Sequence, residues 1–454
     1  MSDTLRFVGF LAAYLPGFAG AALVRKIRAI IHRWTYKGPT DTPKIVLVVG
    51  GSFAGYQLMA RLTETLPTGW QAVLVEKNSH FNWSFAFPRF AVVPGHERTA
   101  FMAYAKILAK GAEQGIARFV QGQAVSVTAD KKVLLASGEA VAYDILVVAT
   151  GSQQRPPAKL LGSTEKDTAC SELQLLQDRI RRARTVAVVG GGAVGLELVT
   201  DIKTYASVVA ERHRAKLVGD GKEGDEDDSV ADKDVTLVHS RTQLLNRFGK
   251  RLHEHVAGVL EKQGITVELG QRAKITYKEG EDSEGGAGTL TFPDGRTKEY
   301  DCILLCTGQT PNSALLQDVY SSTITETGEV RVTPGMQVVS TDGKTNTTLE
   351  DIYAFGDVAA TGGPKMARAG FFQADIIADN IMDSVKNKPA SHKYVPSIVE
   401  PSLKLTLGKD ATVVYMDLNA EGTKSILMPK GGDAEDMYVK QSWGFMGVKY
   451  EDDE

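Results

Sequence analysis

Two stretches of the chain share one order of apolar and polar positions: an unbroken apolar run, a glycine-rich turn and a helical pattern. They are KIVLVVGGSFAGYQLMARL, residues 44 to 62, and RTVAVVGGGAVGLELVTDIKTYA, residues 184 to 206. A continuous apolar run that ends in glycine is typical of a parallel strand buried on both faces. The first helix is expected from about Ala54 to Leu66, because Pro67 stops it. Each stretch therefore predicts a strand, a tight turn and a helix.

A second apolar strand follows each of these units. WQAVLVEKNSHF ends its apolar run at Glu76, whereas DVTLVHSR ends at His239, Ser240 and Arg241. Before the latter strand lies GDGKEGDEDDSVADKD, residues 219 to 234, which is acidic and poor in apolar residues, and we interpret it as a solvated surface loop. The pattern as a whole predicts an α/β fold with two doubly wound parallel sheets.

The glycine turns carry the candidate chemistry. A G-x-G-x-x-G turn aims backbone N–H groups and the positive end of a helix dipole at a pyrophosphate. The second unit fills all three glycine positions, with Gly190, Gly192 and Gly195. The first unit has Gly50 and Gly55 but Ser52 in the middle, where the backbone approaches the pyrophosphate. Serine adds only a hydroxymethyl group there, so we expect a working dinucleotide turn; a sheet that binds no dinucleotide is the alternative.

The ends of the second strands indicate which ribose each turn binds. Glu76 lies 26 residues after Gly50, where an acid accepts hydrogen bonds from the ribose hydroxyls. His239 and Arg241 replace the acid in the second unit, and this tolerates or favours the 2′-phosphate of NADPH. The alternative for Arg241 is an ordinary surface arginine.

Bulk composition excludes several classes of protein. A chain of 454 residues predicts two or three domains, and a net charge of −3 provides no field for attracting nucleic acid. The three cysteines, Cys170, Cys302 and Cys306, argue against a secreted disulfide framework, and we interpret them as buried thiols. The histidines show no helical H-x-x-x-H pair, so no metal site is expected.

The amino terminus predicts association with a membrane. FVGFLAAYLPGFAGAALV, residues 7 to 24, carries no charge and is followed directly by RKIRAIIHR. As one helix it would be about 27 Å long, against a bilayer core of about 30 Å. Pro16 and Gly17 interrupt it, which leaves open a spanning helix, a bent interfacial hairpin, a signal anchor, an Arg-rich mitochondrial targeting sequence and a docking helix.

Three further stretches make a family resemblance specific: YDILVVATGS at 143 to 152, CILLCTGQTPN at 302 to 312, and IYAFGDVAA at 352 to 360. With the two glycine turns they resemble the two-dinucleotide flavoproteins of the pyridine nucleotide-disulfide reductase class. PKMARAGFFQADIIADNI and MYVKQSWGFMG are most similar to the apoptosis-inducing-factor-like members. This resemblance implies two Rossmann-like domains, the first binding FAD and the second binding NADPH or NADH.

The resemblance also implies functional residues by position. The implied FAD contacts are Gly50, Gly51, Ser52, Phe53, Ala54, Gly55, Glu76, Arg89, Val125, Thr150, Gly151, Asp357 and Met366. The implied NAD(P)H contacts are Gly190, Gly192, Gly195, His239, Arg241 and Gly308. Lys365 would begin a helix that faces the flavin ring. Glu197 matches the family's acid near the nicotinamide, where it orients the carboxamide or serves as a helix-dipole partner.

The implied reaction is hydride transfer from NAD(P)H to FAD, followed by reduction of a small acceptor such as a quinone. The disulfide reductases of this class carry C-x-x-x-x-C in the first FAD-domain helix, where this chain has AGYQLMARL. Electrons must therefore leave the flavin directly. Two rival functions are a flavin-dependent tailoring oxidoreductase and a non-enzymatic redox-sensing flavoprotein in a death pathway.

The motifs divide the chain into four parts. Residues 1–38 form the membrane or targeting leader, and residues 161–307 form the NAD(P)H-binding domain with its acidic loop. The FAD-binding domain is discontinuous, comprising residues 43–160 and 308–384. Residues 385–454 form a small α+β segment whose alternating stretches ATVVYMDL and KSILMPK indicate strands. We expect this segment to cover the open face of the flavin.

Overall fold

The protein is described from a computed structural model. The structure describes residues 3–160, 162–219, 229–282 and 284–450. The acidic loop expected at residues 219–234 falls mainly on residues 220–228, which lie outside the described residues.

The helices are α1 Asp3–Thr35, α2 Phe53–Thr63, α3 Phe87–Phe90, α4 Tyr104–Ile107, α5 Ala109–Glu113, α6 Lys166–Arg182, α7 Ala193–Gly219, α8 Lys250–Lys262, α9 Gln317–Tyr320, α10 Ala367–Val385 and α11 Val439–Phe445. The strands are β1 Lys44–Val49, β2 Trp70–Glu76, β3 His80–Asn82, β4 Phe101–Ala103, β5 Ala117–Gln121, β6 Ala124–Val127, β7 Lys132–Leu135, β8 Ala140–Ala142, β9 Ile145–Val148, β10 Ser152–Gln153, β11 Thr185–Val189, β12 Asp234–His239, β13 Thr266–Leu269, β14 Lys274–Tyr277, β15 Gly288–Thr291, β16 Thr297–Tyr300, β17 Cys302–Leu305, β18 Thr310–Pro311, β19 Val330–Arg331, β20 Gln337–Thr341, β21 Asn346–Ala354, β22 Ala359–Ala360, β23 Leu403–Thr406, β24 Ala411–Asp417 and β25 Ser425–Gly431.

Two parallel sheets form the centre of the fold and share one local order. The first runs β20-β21-β9-β1-β2-β5, with every neighbouring pair parallel except the β20–β21 hairpin. The second runs β13-β12-β11-β17 and is parallel throughout. In both sheets the strand before the glycine turn has its helix-linked partner on one side and a later strand on the other. The predicted fold class, α/β with two Rossmann-like units and a small carboxyl-terminal α+β segment, is confirmed.

The first helix of the FAD-type unit is shorter than predicted. Helix α2 ends at Thr63, although the apolar pattern continues to Leu66. The N–H groups of Glu64 and Thr65 bond to carbonyls three residues back, and the Thr65 hydroxyl bonds to the Arg61 carbonyl at 2.8 Å. Local hydroxyl bonding thus competes with the regular helix before Pro67 is reached.

The interrupted leader of the sequence analysis is one continuous helix in the structure. Helix α1 passes through Pro16 and Gly17, which excludes the bent hairpin in this conformation. A proline inside a helix removes one backbone hydrogen bond, and the turns on both sides continue. By length and composition α1 is sufficient to cross a membrane.

The carboxyl-terminal strands form the antiparallel sheet β23-β24-β25, as their alternating pattern predicted. The carboxyl-terminal segment contacts both units. The backbone N–H of Lys409 donates to the Thr204 hydroxyl on α7 at 3.1 Å. The indole Nε1 of Trp443 on α11 donates to the Thr99 carbonyl at 2.8 Å.

Glycine is required where the two turns leave their strands. A Cβ atom at Gly50 would lie 2.4 Å from the Ala149 carbonyl oxygen, and one at Gly190 would lie 2.4 Å from the Cys306 carbonyl oxygen. Their φ angles of 103° and 130° are also poorly accessible to other residues. The last glycine of each turn packs more closely still, since a Cβ at Gly195 would lie 1.9 Å from the Gly190 oxygen.

We expect Gly195→Ala to destabilise the fold and Gly192→Ala to leave its stability nearly unchanged. The first methyl group collides with backbone, whereas a Cβ at Gly192 meets nothing within 4 Å. Overpacking of this kind costs about 1–3 kcal/mol or more. Urea denaturation without added nicotinamide measures both variants, and equal midpoints would contradict the proposed packing.

Candidate cofactor and nicotinamide site

The first glycine turn lies at the carboxyl end of β1, beside the predicted acid. The N–H of Gly50 donates to the Val75 carbonyl at 2.9 Å, and the N–H of Gly51 donates to Glu76 Oε2 at 2.7 Å. The other carboxylate oxygen accepts from the backbone N–H of Asn78 at 3.0 Å. These bonds fix Glu76 at the edge of the turn, where an ADP ribose would lie.

The second turn repeats this arrangement with a different side chain. The N–H of Gly190 donates to the Val238 carbonyl at 2.8 Å, and the N–H of Gly191 donates to His239 Nδ1 at 3.0 Å. His239 thus takes the position that Glu76 has in the first unit. An imidazole that accepts at Nδ1 is neutral with its proton on Nε2, and burial lowers the pKa of His239. In the described residues Nε2 is buried without a hydrogen-bond partner, and the backbone of Gln243 opposes part of the pKa shift.

The middle position of each turn faces open space. A Cβ at Gly192 has no neighbour within 4 Å, and Ser52 in the first turn is exposed with no capping hydrogen bond from its side chain. The protein itself therefore tolerates serine at this position. Only a bound dinucleotide would meet the Ser52 hydroxymethyl group, so the departure from the glycine pattern leaves the turn intact.

Asp357 contacts Ser152, the residue that follows Gly151. Its Oδ2 accepts from the Ser152 hydroxyl at 3.2 Å, and Lys159 Nζ donates to the Ser152 carbonyl. Burial lowers the pKa of Lys159, while Asp357 and Glu76 oppose that shift. Two carboxylates and one ammonium group therefore surround the space next to Gly151, a donor and acceptor set that fits the pyrophosphate and ribityl part of FAD.

The loop that carries Thr150 and Gly151 is held by a pair of hydrogen bonds. The Thr150 hydroxyl donates to the Asn312 carbonyl at 2.7 Å, and Asn312 Nδ2 donates to the Thr150 carbonyl at 3.0 Å. Gly151 has a φ of 66°. The CILLCTGQTPN motif and the YDILVVATGS motif thus meet in space, although they are about 160 residues apart in sequence.

Helix α10 packs its first turns against the start of α2. A Cβ at Gly370 would lie 2.9 Å from Ala54 Cβ, and one at Gly356 would lie 3.5 Å from the same atom. Lys365, just before α10, pairs with Glu329 at 2.6 Å and also donates to the Ala359 carbonyl. Met366 is the residue that precedes the helix. The structure therefore brings these two predicted residues to the same end of the sheet as the first turn.

An aromatic wall flanks the first turn. Phe53, the first residue of α2, contacts Phe81, Trp83 and Phe85, with ring centroids 5.0, 5.3 and 4.5 Å apart. Phe85 is largely exposed. Sequence analysis identified Phe53 through its place in the turn but gave no indication of the rings that surround it.

A cleft of about 230 Å³ lies beside the second glycine turn. Gly192 and Ala193 form one side and Thr307 and Gly308 the other, with Gln154, Arg155, Ala158, Val194, Leu305, Cys306 and Gln309 completing the lining. Gly308 has a φ of 81°. The cleft reaches from the second turn to the loop after Gly151, so a nicotinamide in it would approach the flavin site.

Arg89 has partners different from the flavin contact that the resemblance implied. Its side chain is fully buried: Nε donates to Asp201 at 2.8 Å, Nη1 to the Tyr205 hydroxyl at 3.0 Å, and Nη2 to the Gly408 carbonyl at 3.3 Å. Asp201 and Tyr205 lie on α7, and Gly408 lies in the carboxyl-terminal segment. Arg89 therefore joins the two dinucleotide units and that segment, and its flavin contact stays a prediction.

Glu197 lies one helical turn before Asp201 on α7. Its Oε1 accepts from the backbone N–H and the hydroxyl of Thr406, at 3.4 and 3.3 Å. Burial, and then the neighbouring Asp201, raise the pKa of Glu197 to about 8. Burial thus favours the protonated form of this carboxyl, whose hydrogen-bond partner Thr406 belongs to the carboxyl-terminal segment.

Two predicted residues lie at the periphery of the site. Val125 is half-exposed on β6, three residues after Gly122, whose N–H donates to the Glu76 carbonyl at 2.9 Å. Arg241 is exposed, two residues after His239, and its charge contributes to lowering the pKa of that imidazole.

Sequence reasoning missed Lys159, Asp201, Thr406 and Asn312. Asp201 had a detectable signal, because it lies four residues after Glu197 and therefore on the same helix face. Asn312 stands at the end of a motif that was identified. Lys159 and Thr406 had no signal, since Lys159 reaches the site on a loop and Thr406 on β23 of the carboxyl-terminal segment.

Comparison with known proteins decides the family. Residues 44–374 match the family model described as pyridine nucleotide-disulphide oxidoreductase. The chain belongs to this family. Fe-regulated protein 8 of Mycosarcoma maydis is 31% identical over 82% of the chain and 89% of its own length, and human ferroptosis suppressor protein 1 is 25% identical over 88% and 95%. Apoptosis-inducing factor homolog B of Dictyostelium discoideum is 26% identical over 81% and 88%.

Solved structures share the same fold. The sulfide:quinone oxidoreductase of Aquifex aeolicus aligns with a TM-score of 0.62 at 18% identity, covering 89% of this chain and 90% of its own. The ferredoxin reductase of Rhodopseudomonas palustris aligns with a TM-score of 0.60 at 18% identity, covering 83% of both chains.

Family membership and the site agree on the cofactors. The protein is an NAD(P)H-dependent flavoprotein oxidoreductase that uses FAD, and the apoptosis-inducing-factor-like resemblance is confirmed. The open middle positions of both turns and the acceptors of Glu76 and Asp357 fit two dinucleotides.

We expect Glu197→Gln to flatten the pH dependence of stability. The pKa of Glu197 is raised from 4.5 to about 8. Between those values the folded protein retains a proton that the unfolded chain releases, so stability falls as the pH rises through this range. Each pKa unit corresponds to about 1.4 kcal/mol, and an amide has no proton to lose.

Thermal melts at pH 5 and pH 8 measure this effect. Glu211→Gln, an exposed substitution on the same helix, is the matched control and should behave like the wild type. An unchanged difference between the two pH values in Glu197→Gln would show that this carboxyl is not the titrating group.

Proposed function

We propose that the protein is an NAD(P)H:quinone oxidoreductase that acts at a membrane surface. The observation that carries the proposal is the direct connection between the flavin end of the fold and the apolar amino-terminal helix. Arg25 on α1 pairs with Asp375 on α10, and α10 begins beside Lys365, Met366 and the first glycine turn. An acceptor dissolved in a lipid phase would therefore have a short route to the flavin.

The cysteines do not support a relay to a disulfide substrate. Helix α2 has the sequence FAGYQLMARLT, without the cysteine pair of the disulfide reductases. Cys306 lines the cleft, but burial raises its pKa to about 12, and that of Cys302 to about 12. Thiols in this state are poor nucleophiles, which favours direct transfer to a small acceptor.

The proposed residue roles follow from the contacts above. Bound FAD would accept a hydride from the nicotinamide and pass the two electrons to the quinone. The turn N–H groups, Glu76 and Asp357 hold the FAD, while Gly192 and Gly308 leave room for the nicotinamide. Protonated Glu197 and the Lys365 ammonium are proposed to contact the reacting rings. The balance is one NAD(P)H, one proton and one quinone giving NAD(P)⁺ and the quinol.

The name of the sulfide:quinone oxidoreductase states that a quinone is the electron acceptor of that protein. Its structural similarity supports only the fold of this chain. The acceptor proposed here depends on α1 and α10. Helix α1 contains basic residues at positions 25, 26, 28 and 33 and a single acid, Asp3. This composition extends the proposal to a mitochondrial membrane.

An acceptor series tests the proposal. Purified full-length protein with FAD should oxidise NADPH steadily with short-chain benzoquinones and naphthoquinones, and more slowly with ferricyanide or oxygen, because the site offers a planar stacking surface rather than a thiol. The measurement is NADPH absorbance under each acceptor. Turnover with no quinone, despite bound FAD, would contradict the proposal and favour a tailoring oxidoreductase of another metabolite.

His239 and Arg241 are proposed to determine the choice of nicotinamide. A carboxylate at position 239 would repel a 2′-phosphate, whereas a neutral imidazole would not. The exposed Arg241 adds a positive charge beside the same ribose. This arrangement supports use of NADPH without excluding NADH.

Arg241→Ala should weaken the binding of NADPH more than the binding of NADH. A hydrogen bond to a charged group is worth about 1.5–3 kcal/mol, or roughly ten- to hundredfold in affinity, and only NADPH carries the phosphate. The measurement is the KM for each nucleotide with one short-chain quinone. His239→Glu serves as the companion variant, since a restored acid should also favour NADH; equal losses for both nucleotides in Arg241→Ala would show that the guanidinium does not bind the phosphate.

A further inference from the structure

Helix α1 is held against the body of the protein near both of its ends. At the amino-terminal end Asp3 pairs with Arg251, with Nη1 and Oδ1 3.0 Å apart, and Arg6 donates to the Ser425 carbonyl at 3.2 Å. At the other end Arg25 pairs with Asp375. His32 Nε2 lies 2.6 Å from the Leu66 carbonyl oxygen. Because the two ends contact different parts of the chain, the helix lies along the protein surface.

The side chains in the middle of α1 are exposed. Every residue from 11 to 24 whose side chain the structure describes is exposed, and none of the most apolar 18-residue window is buried. Leu15 and Leu23 are 58% and 60% exposed. The apolar surface continues past this window to Trp34, which is 87% exposed. A helix that is apolar on all sides is stable only in an apolar environment.

The contacts at the two ends of α1 determine which orientation the helix would adopt in a membrane. Residues 6 and 25 are about 28 Å apart along a helix, so a crossing orientation would separate the two sets of contacts by most of a bilayer core. The body of the protein lies on one side of the membrane, so at least one set would then have to break, at the cost of the Asp3–Arg251 or the Arg25–Asp375 pair. An orientation parallel to the membrane plane keeps every one of these pairs and places residues 11–24 in the lipid along the length of the helix.

The charges of α1 fit an anionic lipid surface. Lys26, Arg28 and Arg33 are exposed, and the only acid of the helix, Asp3, is already paired with Arg251. Cations that flank an apolar helix lie at the level of the headgroups and attract anionic lipids. A second copy of the chain would offer the same cations and would repel them.

The exposed apolar surface is continuous with the start of α10. Phe7 and Phe10 of α1 and Phe372 of α10 pack against the cluster of Val399, Met416 and Ile426. Arg368, in the first turn of α10, donates to the Val399 carbonyl at 3.0 Å. The loop before Val399 therefore lies beside the flavin end of α10.

That loop and helix α11 add further exposed apolar side chains. Val395 is 77% exposed, and Phe445 of α11 is 62% exposed with its ring stacked on Phe371 of α10 at 6.3 Å. Asp375, which anchors α1, lies only about 12 Å along α10 from its first residue, Ala367. The surface that would enter the lipid thus borders the end of α10 that faces the flavin.

We infer that α1 is an in-plane membrane anchor: it lies flat in one leaflet of an anionic membrane, pinned to the body by Asp3–Arg251 and Arg25–Asp375, and does not cross the bilayer. Together with the 395–399 loop and Phe445 it forms one lipid-facing surface through which a membrane-dissolved acceptor reaches the flavin end of α10. The acceptor part of this inference rests on the proposed function, whereas the anchor does not.

Vesicle flotation tests the anchor with the full-length protein loaded with FAD. It should float with vesicles of phosphatidylcholine and phosphatidylserine, less with phosphatidylcholine alone, and less as salt is raised. The double variant Leu15→Glu, Leu23→Glu should lose most flotation while retaining its FAD. Leu175→Glu is the matched control, because Leu175 is 56% exposed on α6, far from α1 in the chain, and it should float like the wild type. Equal flotation of all three proteins would overturn the anchor.

Labelling from outside distinguishes the flat from the crossing orientation. Thr4→Cys and Thr35→Cys place a thiol at each end of α1, and a membrane-impermeant maleimide should label both to the same extent on intact vesicles. Labelling of one end only after detergent is added would establish a crossing helix and overturn the inference. Without vesicles, a dimer that Leu15→Glu abolishes, together with failure to float, would instead assign the surface to a second copy.

The same samples separate the anchor from the proposed function. Turnover of a short-chain, water-soluble quinone should be equal in the wild type and in Leu15→Glu, Leu23→Glu, while turnover of a long-chain prenylated quinone in the vesicles should fall at least tenfold in the variant. Loss of flotation with unchanged long-chain turnover would contradict the lipid route. Flotation without turnover of either quinone would contradict the proposed quinone acceptor but would still support the membrane anchor.

Discussion

The structure depends on one close contact made twice. Where β1 ends, Gly50 passes the Ala149 carbonyl so tightly that a Cβ atom would lie 2.4 Å from it, and Gly190 repeats this against Cys306 at the end of β11. The contact directs the chain out of the sheet and places Gly55 or Gly195 in the first turn of the following helix. Two open crevices result, each at the carboxyl ends of parallel strands where the strand order reverses. The proposed cofactor contacts are arranged around these two glycine turns.

The two crevices differ in the side chain that ends the second strand, and we propose that this difference divides their tasks. Glu76 accepts from Gly51, and His239 accepts from Gly191 in the same position. A carboxylate suits a ribose with free hydroxyls and repels a phosphate, whereas a neutral imidazole does not repel one. Arg89 then fixes the distance between the crevices, because its guanidinium binds Asp201 on α7 and the Gly408 carbonyl. The fold thus supports the proposal that the first turn holds FAD and the second a nicotinamide.

The sequence predicted what local patterns encode and missed what the chain path brings together. The strands, the glycine turns and the positions of Glu76 and His239 follow from periodicity and spacing, since each lies within one strand-helix-strand unit. Arg89 was assigned to the flavin by its motif, yet its partner Asp201 is 112 residues away. Lys159 enters the site on a loop without a motif. Helix α1 continues through Pro16 because a single lost hydrogen bond does not end a helix of 33 residues.

The central claim is that the first turn holds FAD and the second delivers the nicotinamide to it. The most direct measurement is an anaerobic titration of the purified protein with NADPH, followed by flavin absorbance, in the wild type and in Asp357→Ala. The account predicts about one FAD per chain, bleached by one equivalent of NADPH, and loss of most flavin in the variant, since removing the acceptor leaves buried polar groups unsatisfied. A colourless wild type that takes up no added FAD, or a bound flavin that NADPH and NADH leave oxidised, would contradict it.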